Sequence, residues 1–244
     1  PAPDVSLAAL QDHSHPAWQR LKAEELLAQQ LSQLQSKRAR DRLRAPPLRP
    51  GAGRAALHSL LLAALPFKLT AAQRRVCAEI EQGIGRAVPM HRLLQGDVGS
   101  GKTVVAALAA AICIDAGWQC ALMAPTEILA EQHFRKLIGW LEPLGVKTAW
   151  LTGSQKAKER REMLALIYSG EAGLVVGTHA IIQDKVQFHN LAVAIIDEQH
   201  RFGVAQRLAL RAKLNPADVL EREHGVSAEV IDPRTLKPAI RLAI

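Results

Sequence analysis

The chain has 244 residues, 48% apolar and 22% charged, with a formal net charge of +8. At roughly 100–200 residues per domain this is one or two domains with a real core, which excludes a disulfide-stapled mini-protein, wholesale disorder and low-complexity classes. The longest uninterrupted apolar run, the eleven residues Val104–Ile114, falls well short of the ~20 needed to cross a bilayer, so no membrane helix is expected.

The first residues, PAPDVSLAALQDHSH, carry no basic leader ahead of an apolar stretch, which predicts no secretory signal and a cytoplasmic setting. Cys77, Cys113 and Cys120 form no CxxC pair and read as packing thiols rather than zinc ligands. From Pro16 to about Ala45 there is no glycine, and Trp18, Leu21, Leu27, Leu31 and Leu34 recur at short steps in a background of Ala, Gln, Glu and Arg. That spacing predicts one long amphipathic helix, with Pro16 in its first turn. APPLRPGAG, Ala45 to Gly53, ends the helix and reads as a linker, giving a helical segment over 1–56. Lys37, Arg38, Arg40, Arg42, Arg44, Arg49 and Arg54 cluster there, opposed only by Asp41. Such a run suits a polyanion or is simply a solvated helix end.

Beyond the linker, short apolar runs alternate with helical stretches. Strands are predicted at Arg92–Gln95, Cys120–Ala124, Thr148–Leu151, Leu174–Thr178 and Val193–Asp197, and helices at 70–82, 102–116, 126–141 and 155–169. Strands that are apolar throughout, alternating with helices, indicate an α/β fold: a parallel sheet covered by helices on both faces, over residues 57–214.

Two motifs carry chemistry. Gly96-Asp-Val-Gly-Ser-Gly101-Lys102-Thr103 matches G-x-x-x-x-G-K-[ST], follows the strand-like RLLQ and opens the helix-like VVAALAAAICI. In such a loop Gly96, Gly99, Ser100 and Gly101 let backbone N–H groups wrap phosphates, Lys102 reaches the β/γ oxygens, and the Thr103 hydroxyl can ligate Mg²⁺. Val193-Ala-Ile-Ile-Asp197-Glu198 then supplies a buried strand that delivers two carboxylates to the sheet's C-terminal edge. Asp197 suits Mg²⁺, held through water, and Glu198 suits orientation or deprotonation of the attacking water. The expected cofactors are ATP and Mg²⁺. A phosphate-loop kinase, or a nucleotide-dependent binding module without turnover, is the alternative at this level.

With Asp197-Glu-Gln-His-Arg-Phe-Gly-Val204, the loop GDVGSGKT makes the chain resemble the RecG family of branch-migration DNA helicases in superfamily 2. The likeness extends over roughly residues 13–213. It takes in HPAWQRLKAEELLAQQLSQLQ, Leu69-Thr-Ala-Ala-Gln73, Ala124-Pro-Thr-Glu-Ile-Leu-Ala-Glu-Gln-His133, Leu151-Thr-Gly-Ser154 and Gly177-Thr-His-Ala-Ile-Ile182. The resemblance implies a RecA-like first motor lobe that binds ATP and acts on branched or forked DNA in fork rescue, recombination and repair. It places Gln73 and the ring of Phe67 against adenine. It also assigns Pro125, Thr126, Thr152, Gly153, Thr178 and His179 to the DNA backbone, where strand ends expose hydroxyls and N–H groups. Gln199 and His200 become the relay from nucleotide state to DNA contacts. The transcription-repair coupling factor shares HRFGV but tends to have Glu where this chain has Gln199, and is the alternative within the class.

The resemblance also implies a second helicase lobe and a wedge domain that these residues do not contain. Residues 215–244 read instead as a short helix, a strand AEVID and a Pro-bounded segment. There ADVL…VSAEVIDPRTLKP is similar, over about 25 residues, to the C-terminal domain of transketolase-like, thiamine-diphosphate-dependent enzymes.

Overall fold

The computed structural model describes residues 16–41, 45–49, 56–97, 99–198, 201–213 and 240–243. Two compact units divide the chain, Pro1–Arg42 and Leu43–Ile244. In the first, helix α1 spans Pro16–Asp41, and its Leu21, Leu26, Leu27, Leu31 and Leu34 are all at least half exposed.

The sequence carries α1 to Ala45, but Ala45 is already extended and belongs to the second unit. Pro46 and Pro47 explain this, because a residue before proline is pushed out of the helical region. Read as linker, the segment is in fact packed: Ala45 and Leu48 are buried, and their N–H groups donate to the carbonyls of Ala87 and Ile84.

The second unit begins with α2, Leu57–Ala64, and α3, Ala71–Ile84. No helix was expected at α2, although Leu57, Leu61 and Leu65 follow the i, i+4, i+8 rule and are all buried. Then follow β1 (Met90–Leu93), α4 (Lys102–Asp115), β2 (Gln119–Met123), α5 (Glu127–Leu141), β3 (Thr148–Leu151), α6 (Ala157–Tyr168), β4 (Leu174–Gly177), β5 (Leu191–Ile196), α7 (Val204–Lys213) and β6 (Ile240–Ala243). Short 3₁₀ turns lie at Glu142–Leu144 and His179–Ile182. Strand β1 starts two residues before the expected Arg92, directly after Pro89, and leaves Leu94–Asp97 free to lead into the loop.

All strand pairs are parallel, in the order β1-β6-β5-β2-β4-β3. Along β2 the side chains alternate between two cores. Cys120 and Leu122 join α2, α3, α4 and the end of α5, whereas Ala121 and Met123 join α6, α7 and the 3₁₀ turn before β5. That is the doubly covered sheet the continuous apolar strands predict. Helix α4 is buried at every position from Val104 to Cys113, as expected of a helix that is apolar all round. Cys113 and Cys120 are buried free thiols and Cys77 is a half-buried one, in agreement with a packing role. No helix among the described residues is long and apolar enough to cross a membrane.

Strand β6 was not anticipated. It lies between β1 and β5, pairing Ile240 with Met90 on one side and with Val193 on the other. The AEVID strand and the short helix expected in the tail lie outside the described residues.

Candidate nucleotide and DNA site

The sheet's C-terminal edge gathers the loops that carry the motifs. Leu93 and Ile196 are both in register with Ala243, so β1 and β5 end at the same level. Adjacent strands lie ~4.8 Å apart, which puts those two ends roughly 10 Å from each other. One strand end leads into the phosphate loop and the other delivers Asp197.

The loop is built on glycine geometry. Gly99 and Gly101 have φ of 83° and 81°, in the left-handed region that side chains avoid, and Gly101 caps α4. A Cβ at Gly96 would come within 2.7 Å of Ser100 Oγ, and one at Gly101 would overlap Gln73 Nε2. Helix α4 starts at Lys102, so its first N–H groups face the loop, a natural seat for an anion. The Lys102 ammonium folds over the same loop, donating to the carbonyls of Gly96 at 2.8 Å and Asp97 at 3.1 Å. Val98 lies outside the described residues.

Gln73 braces this loop from α3. Thr70 and Gln73 form a reciprocal capping box: Gln73 N–H donates to Thr70 Oγ1, and Thr70 N–H donates to Gln73 Oε1 at 2.9 Å. The Gln73 amide nitrogen then donates to the Ser100 carbonyl at 2.8 Å. Both ends of the amide are therefore engaged within the protein. Phe67 is 45% exposed, packs edge-on against Trp140 and helps line an open cleft of about 660 Å³ with Pro66, Lys68, Leu69 and Arg74.

Asp197 stands one residue past β5, its N–H donating to the Met123 carbonyl of β2. Its Oδ2 lies 2.7 Å from His133 Nε2 on α5, and both side chains are 13% exposed. Glu198 has φ 46°, the one left-handed non-glycine residue among those described. Such a backbone costs on the order of 1–3 kcal/mol and is characteristic of functional turns. Its Oε2 sits 2.6 Å from Arg201 Nε, an ion pair in distance without the alignment of a hydrogen bond. Gln199 and His200 lie outside the described residues.

Hard oxygen donors such as the Thr103 hydroxyl and the Asp197 carboxylate suit Mg²⁺, which takes one or two protein ligands and completes its shell with waters and phosphates. Asp197, the single buried carboxylate among the described residues, fits that sparse donor set. Among the described residues, no three His, Cys, Asp or Glu side chains cluster into an all-protein metal cage.

Three further loops meet at the same edge. Pro125 is half-buried and Thr126 exposed; Thr126 caps α5, its Oγ1 accepting from Leu129 N–H. Glu127 then accepts from the N–H groups of Gly153 and Ser154 and, at 2.6 Å, from the Ser154 hydroxyl. Those bonds hold the Glu127 carboxyl below its ordinary range, with a smaller contribution from the charge of His179. Arg160 ties the neighbouring chain down, donating to the Thr152 carbonyl and to Gln183 Oε1.

Of the three threonine hydroxyls expected to be exposed at these loops, only that of Thr126 is. Thr152 and Thr178 are 3% and 2% exposed. Gly153 and His179 are exposed. Glu127, His133 and Arg160 escaped the sequence reading of the site. Glu127 and His133 stand inside the quoted APTEILAEQH run, but nothing local pairs His133 with a carboxylate 64 residues away.

A phosphate loop and an Asp-Glu pair at the carboxyl edge of one all-parallel sheet define a RecA-like phosphate-loop NTPase lobe. A DEAD/DEAH box helicase family model matches residues 70–224, and the chain belongs to that family. Within it the chain is of the RecG type of superfamily 2. It is 55% identical to the ATP-dependent DNA helicase RecG of Escherichia coli O157:H7 over 213 residues, 87% of this chain and 30% of that protein. With the RecG of Pasteurella multocida it shares 52% identity over 236 residues, 97% of this chain and 34% of that protein. A solved structure of RecG bound to a three-way DNA junction superposes with a TM-score of 0.72 at 34% identity, covering 92% of this chain and 27% of that one. The chain thus spans about a third of the length of the curated relatives it matches.

Proposed function

We propose that this lobe binds Mg-ATP between Gly96–Thr103 and Asp197–Glu198 and serves an ATP-driven helicase that remodels branched or forked DNA in the bacterial cytoplasm. The observation that carries the reading is the register. The phosphate loop and the acidic pair leave strands that end at one level, two positions apart, with glycine geometry and a helix N-terminus facing the gap between them.

In this reading the loop N–H groups and the first turn of α4 cradle the phosphates. Lys102 exchanges its contacts with the Gly96 and Asp97 carbonyls for the β/γ oxygens. Thr103 and, through water, Asp197 hold Mg²⁺, which neutralises charge on the phosphates. Glu198, held in a left-handed turn after Asp197, orients and deprotonates the attacking water. Phe67 offers a ring face beside Gln73 for the base. On the DNA side, Thr126, Gly153 and His179 are placed to meet phosphates, Pro125 shapes that rim, and Thr152 and Thr178 contribute through their main chain. Gln199 and His200 link the two sites.

The test is Lys102→Ala. Its contacts lie within the loop, so the fold is expected to persist while tight binding of a fluorescent ATP analogue with Mg²⁺ is lost. Unchanged affinity would remove the assignment.

A further inference from the structure

Helix α5 turns one stripe inward, made of Ala130, His133, Leu137 and Leu141. Three of these are at most 1% exposed and apolar, so His133 is the polar exception on a packing face. Its Nε2 approaches Asp197 Oδ2 to 2.7 Å. Since a carboxylate only accepts, Nε2 carries the proton and donates.

We propose that His133 is a positioning residue for the metal-holding carboxylate. By occupying Oδ2 it fixes the rotation of the Asp197 side chain and leaves Oδ1 for the water shell of Mg²⁺. The proposal rests on the assignment of Asp197 to Mg²⁺. Two observations set it apart from the bland alternative of a core histidine that has found an acceptor. The first is that, among the described residues, His133 is the side-chain partner that steers the Asp197 carboxylate, while the Asp197 N–H is engaged with Met123. The second is that α5 carries, two turns earlier, the Glu127 carboxylate that holds Gly153 and Ser154. One rigid element therefore touches both the acidic pair and the DNA-facing loop. Groups that orient metal-binding side chains from behind are worth about 10–100-fold in metal affinity.

The experiment titrates Mn²⁺ into the full 244-residue chain with a non-hydrolysable ATP analogue, reading free Mn²⁺ by electron paramagnetic resonance. Metal-free melting checks the fold of each variant. His133→Leu fills similar space without a donor and is expected to weaken Mn²⁺ binding by about tenfold or more. His133→Gln, whose amide nitrogen reaches the place of Nε2, should keep most of the affinity. His133→Ala is a second donor-free variant in case leucine disturbs packing. Parental affinity in both donor-free variants would overturn the proposal, as would a folded Gln variant as weak as Leu. Asp197→Asn separates the two levels of the argument. If that change leaves Mn²⁺ binding intact, the metal assignment itself is wrong and the proposal falls with it. If it weakens binding and the His133 variants do not, only the role of His133 is lost. Combined with His133→Leu, it should add little further loss, because the two residues act as one unit.

Discussion

Gln119 shows how much one buried amide can hold. It is 1% exposed at the start of β2, and its Nε2 donates to the carbonyls of Ile167 and Ala172. Its Oε1 accepts from the N–H groups of His189 and Asn190. The end of α6, the turn into β4 and the approach to β5 are thereby fastened to one side chain. Leucine in its place would fill the space and strip the Gln119 partner from the Ala172 carbonyl and the His189 and Asn190 N–H groups, while the Ile167 carbonyl keeps the Gly170 N–H. Each buried unsatisfied group costs about 1–3 kcal/mol, so after relaxation Gln119→Leu is expected to destabilise by roughly 3–5 kcal/mol. Urea unfolding followed by circular dichroism checks this, and a loss below the error of the fit would show that the network is dispensable. The sequence offered no hint of it. The glycine geometry of the Gly96–Thr103 loop was legible because its pattern is contiguous, whereas Gln119, His133 and Glu127 take their partners from segments that only the fold brings near.

At the scale of elements, the period of apolar residues was a sound guide wherever packing follows it. Strand β3 and helix α4 begin where the spacing places them, β3 as an alternating strand and α4 as a helix buried from Val104 to Cys113. Helix α1 was carried on to Ala45 because composition alone does not register that the two prolines after it take Ala45 out of the helix and that it is buried. The contact between α5 and the loop after β3 was equally invisible, and it leads to a prediction. Glu127 supplies a negative charge at the N-terminus of α5, where it is favoured, and accepts three hydrogen bonds from Gly153 and Ser154. Glu127→Ala should therefore lower the hydrogen-exchange protection of the Gly153 and Ser154 amides at neutral pH without altering the sheet. Because the carboxyl is held below its ordinary range, its tethering is fully present above the unfolded value and disappears as pH falls through the depressed folded one. In the parent chain the two amide resonances should accordingly shift only below the usual carboxylate range, and in the variant that step should be absent. Amide shifts that move together with the exposed carboxylates instead would show that the tether is not formed in solution.

For the molecule as a whole, the sheet sets how far apart the two motif-bearing strands lie. Strand β6, 44 residues after β5 in the chain, fills the position between the strand that leads to the phosphate loop and the strand that delivers Asp197. Four residues, IRLA, carry too little pattern to announce such a place, and their partners are distant in sequence. The spacing of the two motif-bearing strands therefore depends on a segment whose place only the assembled sheet reveals. With that spacing set, Lys102, Thr103, Asp197 and Glu198 are expected to give Mg-ATP binding and some basal turnover. Fast turnover needs more. In a two-lobed motor an arginine from the second lobe reaches the γ-phosphate, and such arginines are worth about 10³–10⁵ in rate. The described residues form a single sheet, and these 244 residues by themselves are expected to hydrolyse ATP slowly. Forked DNA should hardly accelerate it, since stimulation requires two lobes closing across the nucleotide. Phosphate release over many cycles, with and without forked DNA, measures both quantities, and Glu198→Gln should abolish the residual signal while retaining nucleotide. Turnover of several per second that rises with forked DNA would mean that the catalytic parts are misassigned or that another chain completes the site.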